Sequence, residues 1–365
     1  MSDVRPIDAQ TYADTERRLA RLLDTTRDVL LLQGEAILVL EAAARGLGGP
    51  GVRALNLVSG PYGQVLGDWL GVGGAEVEHL SVEFDQALDP SAVRAELASK
   101  QFDVVSVVHA EAATGVVNPL QEIAAAAHEA GALVIVDAVA SVGAEPLPID
   151  DWDLDLVMIG TQKTLAGPNG VCALVANERA WSQIAANPSA PRNSSISLLD
   201  WKERWIDAGR LRVPGYVYEH EMRALAVALD ELGGDVGLKR VVERHQRASS
   251  ATRASARSLG LDLWVESEEN AASVATLVRP PVGSSVSALV DASSSYLGDR
   301  ERGLLSPAPG PLADLALRIN HTGLAAQPGA VVVAITALAA GLGELGIAHD
   351  LEAALASLDG ALFPV

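Results

Sequence analysis

Leu156-Val157-Met158-Ile159-Gly160-Thr161-Gln162-Lys163 is an apolar run that gives way to a lysine, and the turn-forming Gly167-Pro168-Asn169-Gly170 follows closely. Short apolar runs bounded by turn residues read as buried strands. Upstream, Leu133-Val134-Ile135-Val136 is a second such run, and it ends in Asp137. The interval from Asp137 to Lys163 is long enough for a loop and another strand, so both side chains can emerge at the ends of neighbouring strands. An amine and a carboxylate would then face one crevice. Taken alone, a lysine after a buried strand is more often an ordinary surface residue.

Outward from this pair, short β-branched runs alternate with alanine-rich helical stretches from Val29 to about Ala176. That alternation predicts a mostly parallel sheet with helices on both faces. The predicted strands are Val29–Leu32, Leu55–Val58, Val104–Val108, Leu133–Val136, Leu156–Ile159 and Val171–Val175. Helices are predicted over Ile37–Arg45, Ser91–Ser99 and Leu120–Ala130, the last stopped by Gly131. Ligands of such sheets bind beyond the carboxyl ends of the strands. This directs attention to Gln33-Gly34-Glu35-Ala36, Ser59-Gly60-Pro61-Tyr62, His109-Ala110-Glu111, Asp137 and Gln162-Lys163. From Asn187 to Tyr218 the prolines 188, 191 and 214 predict a long irregular crossing, and a helix pair, Glu219–Leu232 and Val236–Leu259, follows. The expected organisation is an amino-terminal arm and helix over 1–28, a large domain over 29–233, and a smaller carboxyl-terminal domain over 234–365.

Bulk properties exclude several classes of function. Lysine and arginine number 27 against 47 aspartate and glutamate, and the net charge of −20 repels phosphodiester backbones and anionic lipid. Neither nucleic acid nor a membrane is an expected partner. One cysteine, Cys172, rules out an internal disulfide, and no residues cluster at metal-ligand spacing, so a metal-free cytoplasmic protein is expected. The amino terminus lacks the apolar core of a signal peptide, and no stretch approaches the roughly 18 apolar residues of a membrane span.

The lysine–carboxylate pair matches what pyridoxal chemistry requires: an amine to condense with the aldehyde, and a carboxylate to keep the pyridine nitrogen protonated. Further motifs extend the match from about Leu32 to Leu358. They are Gln33-Gly34-Glu35-Ala36 with Leu40-Glu41-Ala42-Ala43, Ser59-Gly60-Pro61-Tyr62-Gly63, and Thr114-Gly115-Val116-Val117-Asn118-Pro119-Leu120. Val136-Asp137-Ala138-Val139-Ala140-Ser141-Val142-Gly143, Gly160-Thr161-Gln162-Lys163, Leu198-Leu199-Asp200-Trp201 and Arg318-Ile319-Asn320-His321 complete the set. With these residues the chain resembles the class V aminotransferases of the fold-type-I pyridoxal phosphate enzymes. Within them it resembles the branch of alanine–glyoxylate, serine–pyruvate and pyridoxamine–pyruvate aminotransferases.

The resemblance implies an α/β fold of type I: a large domain with a mostly parallel mixed sheet between helices, and a smaller carboxyl-terminal α+β domain. It implies a homodimer that moves an amino group between a small amine or amino acid and a 2-oxo acid such as pyruvate or glyoxylate. Lys163 would form the Schiff base and shuttle the proton, and Asp137 would pair with the pyridinium nitrogen. Tyr62 would stack on the ring. Gly34, Glu35, Ala36, Ala112, Ser141 and Gln162 fall at positions that surround the cofactor, and Arg318 matches the arginine that clamps the substrate carboxylate. His109 and His321 read as structural donors.

Three departures weaken the expected phosphate contacts. Glu35 stands in the turn where relatives present small or hydroxyl residues to the phosphate, Ala112 replaces a serine or threonine, and Val213 replaces a threonine contributed across the dimer. They favour unphosphorylated pyridoxal or pyridoxamine as the ligand, handled as a substrate. Arg210 and Arg212 are candidates for a phosphate counter-charge from the partner subunit, which keeps pyridoxal 5′-phosphate open as the cofactor. Other departures are Asn320 in place of a glycine, and Ser306-Pro307-Ala308-Pro309-Gly310-Pro311 where a second arginine is expected. A decayed, non-catalytic relative that binds vitamin B6 and a lyase or cysteine desulfurase on the same fold are the alternatives. For a desulfurase, Cys172 is badly placed, in a predicted strand.

Overall fold

The computed structural model describes residues 5–362; residues 1–4 of the expected arm and 363–365 of the expected carboxyl domain lie outside the described residues. The strands of the first half are β1 (Asp28–Gln33), β2 (Arg53–Val58), β3 (Glu76–Ser81), β4 (Val104–Val108), a short hairpin of β5 (Ala110–Glu111) and β6 (Val116–Val117), β7 (Leu133–Asp137), β8 (Leu156–Gly160) and β9 (Val171–Ala176). Seven of them form one sheet in the order β1-β9-β8-β7-β4-β2-β3. Only β9 runs against its neighbours, antiparallel to both β1 and β8. Six of the seven are the strands that the apolar runs predict. The seventh, β3, reads Glu-Val-Glu-His-Leu-Ser and lies at the sheet edge, where charge discourages pairing with another chain.

Helices α1 (Ala9–Leu22), α2 (Ala36–Leu47), α3 (Pro61–Gly73), α4 (Pro90–Ser99), α5 (Leu120–Glu129), α6 (Glu178–Ala186), α7 (Leu198–Trp201) and α8 (Glu219–Leu232) accompany this sheet. α1 starts at Asp8, whose carboxylate accepts the Thr11 N–H at 2.9 Å. It is packed into the sheet's core: Tyr12, Leu19 and Leu22 are buried, and the Tyr12 hydroxyl donates to the Leu31 carbonyl of β1. α5 ends where predicted, with Gly131 at φ +83° just beyond it. The crossing from 187 to 218 is irregular apart from α7 and the π-helical turn Lys202–Ile206 that continues it. Strands buried on both faces dominate the energetics; Leu30 and Leu31 are fully buried, and truncating either to alanine costs about 2–5 kcal/mol.

α9 (Asp235–Ser258) leads from this core to a second one. Leu238 packs against the first cluster, while Ala248, Ala251 and Ala256 belong to the second, which extends to Leu362. That second cluster is built on the antiparallel sheet of β10 (Ala275–Val278), β11 (Leu305–Pro307) and β12 (Leu317–Asn320), in the order β10-β12-β11. α10 (Val286–Ser294), α11 (Pro328–Glu344) and α12 (Leu351–Leu362) pack on it. Among the described residues no helix is long and apolar enough to cross a membrane, and no group of three or more His, Cys, Asp or Glu is placed to hold a metal ion.

Candidate active site

Asp137 ends β7, and Lys163 follows β8, its parallel neighbour, so both side chains leave the sheet at one edge. They line a cleft with Glu35, Ala36, Tyr62 and Ala112. Tyr62, Ala112 and Lys163 also line an adjoining cavity of about 330 Å³, whose far residues are Pro309, Arg318, Asn320 and Thr322. The two spaces are halves of one cleft, and Lys163 lies at their junction with Nζ 5.4 Å from the centre of the Tyr62 ring.

Asp137 is buried, and one carboxylate oxygen accepts the Val139 N–H at 2.9 Å. Burial pushes its pKa up to about 6, against the pull of that hydrogen bond and of nearby Lys163. A cation placed beside Asp137 would restore the ionised form.

In the same half, the turn after β1 delivers Glu35 to the start of α2. Gly34, at φ +157°, makes that turn, and its N–H donates to the Gly170 carbonyl at 2.9 Å. The Glu35 side chain caps the helix: Oε2 accepts the Ile37 N–H at 2.9 Å, and Oε1 accepts from Gln162 Nε2 at 2.6 Å. The positive end of α2 is thus already met by a carboxylate of this chain. Ala36, buried, is the first helical residue.

A second carboxylate treats α3 in the same way. Glu111, fully buried, accepts the Tyr62 N–H at 3.1 Å and the Gly63 N–H at 3.3 Å on Oε2, and the Ala113 N–H at 3.4 Å on Oε1. A Cβ at Gly60 would overlap the Glu111 side chain, so only glycine fits there. Burial, with Asp137 adding to it, pushes Glu111 up to about 7. In the sequence, Glu111 stands out only as a strand-end residue. The usable signal was a Gly-Pro helix start with no capping side chain of its own, but no spacing rule joins residue 60 to residue 111.

Arg318 enters the other half from β12. Its Nη2 donates to Asn320 Oδ1 at 3.4 Å, its Nε is buried without a hydrogen-bond partner, and among the described residues it makes no ion pair. Burial lowers its pKa from the ordinary arginine value. The half-buried guanidinium is partly desolvated without a carboxylate, and an incoming carboxylate would answer its charge.

Other sequence candidates lie elsewhere. Ser141 is fully buried past Asp137, with its Oγ unpartnered, and does not line the cleft. Arg210 is not available to a phosphate: its Nε donates to Glu16 at 3.0 Å, and its Nη2 lies 3.5 Å from Asp28. Arg212 is exposed, outside the cleft, and Val213 is half-buried. His109 packs edge-on against Trp152, and His321 pairs with the Thr276 hydroxyl at 3.0 Å. Burial depresses them to about 4 and about 3, which keeps both neutral. Cys172 is fully buried in β9, and burial pushes its thiol up to about 12, the reverse of a reactive sulfur.

Comparison with known proteins gives a consistent result. Residues 12–280 match the family described as aminotransferase class-V. Over 362 residues the chain is 34% identical to pyridoxamine–pyruvate transaminase of Mesorhizobium japonicum, a match that covers 98% of this chain and 90% of that protein. The crystal structure of pyridoxamine-pyruvate aminotransferase from Mesorhizobium loti superposes with a TM-score of 0.88 at 33% identity, over 96% of this chain and 89% of that one. Ureidoglycine-glyoxylate aminotransferase from Bacillus subtilis superposes with a TM-score of 0.85 at 25% identity, over 98% and 92%.

Proposed function

The chain belongs to the class-V aminotransferases, and from that premise we propose that it transfers the amino group of free pyridoxamine to a small 2-oxo acid, pyruvate or glyoxylate. The family works with pyridoxal phosphate. The observation that carries the unphosphorylated reading is the Glu35 carboxylate, bonded to both the α2 terminus and Gln162. A phosphate there meets repulsion of about 4 kcal/mol per unit charge at about 4 Å and an effective dielectric constant of about 20. Attraction from the helix terminus returns at most about 2 kcal/mol. Repulsion wins, so the residues suit the pyridine ring and not its phosphate.

Each residue then has a defined role. Bound pyridoxamine supplies the nitrogen to be moved and a pyridinium ring that accepts the electron pair left when a proton leaves the adjacent carbon. Lys163 Nζ is the group that would move that proton to the acid's carbon once nitrogen and oxo carbon have been joined with loss of water, and its amine would hold the aldehyde product. Asp137 holds the proton on the ring nitrogen. Tyr62 covers the ring face and keeps water from it, and Glu111 fixes the backbone that carries Tyr62. Arg318 grips the acid's carboxylate by a two-pronged hydrogen bond. Retention of all three of Lys163, Asp137 and Arg318 in one cleft argues against a decayed binder, since binding alone needs no proton shuttle.

A cytoplasmic homodimer is part of the proposal. Leu211 and Tyr216 are 82% and 81% exposed on the irregular crossing, a surface that a second copy would cover. Exposed Arg212 on that segment favours the second reading, a conventional pyridoxal-phosphate aminotransferase with phosphate charge met from the partner. Titration of the ligand-stripped protein with pyridoxal, and separately with pyridoxal phosphate, decides between them through the visible absorbance against a Lys163→Ala control. Lysine-dependent colour at low pyridoxal supports the first reading. Colour with the phosphate form alone supports the second, and none with either puts the decayed binder in front.

A further inference from the structure

Asn320 occupies the acid half of the cleft, where the family pattern has a glycine. It lies two residues after Arg318 on β12, so the two side chains emerge on the same face. Its Oδ1 accepts from Arg318 Nη2 at 3.4 Å and from the Thr322 N–H at 3.0 Å, and its Nδ2 donates to the Gly303 carbonyl at 3.4 Å. The amide is held from three sides, and it engages one prong of the guanidinium while Nε stays unpartnered.

We propose that Asn320 is the specificity-determining residue for the amino-group acceptor: it fixes the orientation of Arg318 and fills the space beside it, so that the cleft takes a 2-oxo monocarboxylate with a side chain of at most about one carbon. The inference rests on the amino-transfer reading above and adds the class of acid and the residue that selects it. Among the described residues of this half the cations are Arg318 and Lys163. Lys163 is committed to proton transfer, so the second carboxylate of a dicarboxylic acid would find no further cation among Tyr62, Pro309 and Thr322, and the cleft would gain nothing from holding it. For a longer apolar side chain the discrimination is that of one methylene against a filled wall, about 10- to 200-fold.

Asn320→Gly and Asn320→Asp test this, with pyridoxamine as donor and pyruvate, 2-oxobutanoate and 2-oxoglutarate as acceptors. In Asn320→Gly the KM for pyruvate should rise about tenfold with kcat within about twofold, as loss of positioning rather than of chemistry requires. The preference for pyruvate over 2-oxobutanoate should fall at least about tenfold. Asn320→Asp keeps the volume but gives Arg318 an internal carboxylate, so its pyruvate KM should rise about 100-fold. Pyridoxal colour at Lys163 should be unchanged in both, which shows that they fold. Calorimetric binding of pyruvate and 2-oxobutanoate to the pyridoxal-loaded protein separates the two claims. Selective pyruvate binding that weakens in Asn320→Gly, without turnover in any form, would sink the amino-transfer reading and sustain the role of Asn320. Unchanged pyruvate KM and unchanged acid preference in Asn320→Gly, or binding of neither acid by the unsubstituted protein, would overturn it.

Discussion

Glu35 and Arg318 lie in different halves of one cleft and are left in contrasting states. At the start of α2, where the physics of a helix favours an anion, the chain supplies its own and ties it with Gln162. Around Arg318, where a half-buried cation calls for an anion, the chain supplies only the neutral amide of Asn320. Both arrangements are polar and in the same cleft, Glu35 exposed and Arg318 half-buried. What differs is whether the charge is already answered from within. On the proposed reading the answered half takes a ligand without charge at that end, and the unanswered half takes a carboxylate.

Removing the residue common to both halves should have the largest effect. Lys163→Ala should lower amino transfer by about 10³-fold or more and abolish lysine-linked colour with pyridoxal, measured by stopped-flow absorbance. Arg318→Ala should act on one half only: kcat/KM for the oxo acid falls by about 100-fold while pyridoxal affinity holds. Equal losses of both would erase the division. Glu35→Thr should invert the other half, with pyridoxal phosphate affinity rising by about 100-fold in a direct titration as the repulsion is removed. No gain would mean that Glu35 does not set the preference.

Asp137 sharpens the comparison through pH. Its folded-state pKa, about 6, is raised above the ordinary 3.8, so burying the ionised form costs stability. That cost is absent below the ordinary value, grows as pH rises through the window from about 4 to about 6, and stays above it. Ligand-free Asp137→Asn should therefore be more stable than the unsubstituted protein by about 1–3 kcal/mol at pH 7.5 and no different near pH 4, by denaturant titration at each pH. The same variant should bind pyridoxal weakly at every pH, whereas unsubstituted protein should gain affinity as pH rises to about 6. Tyr62→Ala should have the smallest effect, about 3- to 10-fold in pyridoxal affinity, as expected for one stacked ring.

The sheet was largely legible because its strands are buried on both faces and so read as continuous β-branched runs, as Val104–Val108 does. β3 was not, since an edge strand with Glu76, Glu78 and His79 carries no such run. Nor was α3, whose glycines 63, 67, 71 and 73 depress helix propensity and which tertiary packing rescues. In the cleft, Lys163, Asp137 and Glu35 announced themselves by standing at strand ends. Arg210 misled for the opposite reason: its partners, Glu16 and Asp28, lie far back in the sequence, and only the fold brings α1 and β1 against the irregular crossing. Glu111 was silent because a lone glutamate gains meaning only once α3 begins beside it.

The Glu35 cap also bears on how the chain survives between meals. A ligand stabilises a folded protein only while bound, by RT ln(1 + [L]/Kd). On the proposed reading the vitamin leaves at each turnover, so it cannot supply lasting heat resistance. By closing α2 with a residue of its own, this chain completes that helix without a phosphate. That helix should therefore resist unfolding equally well with and without ligand.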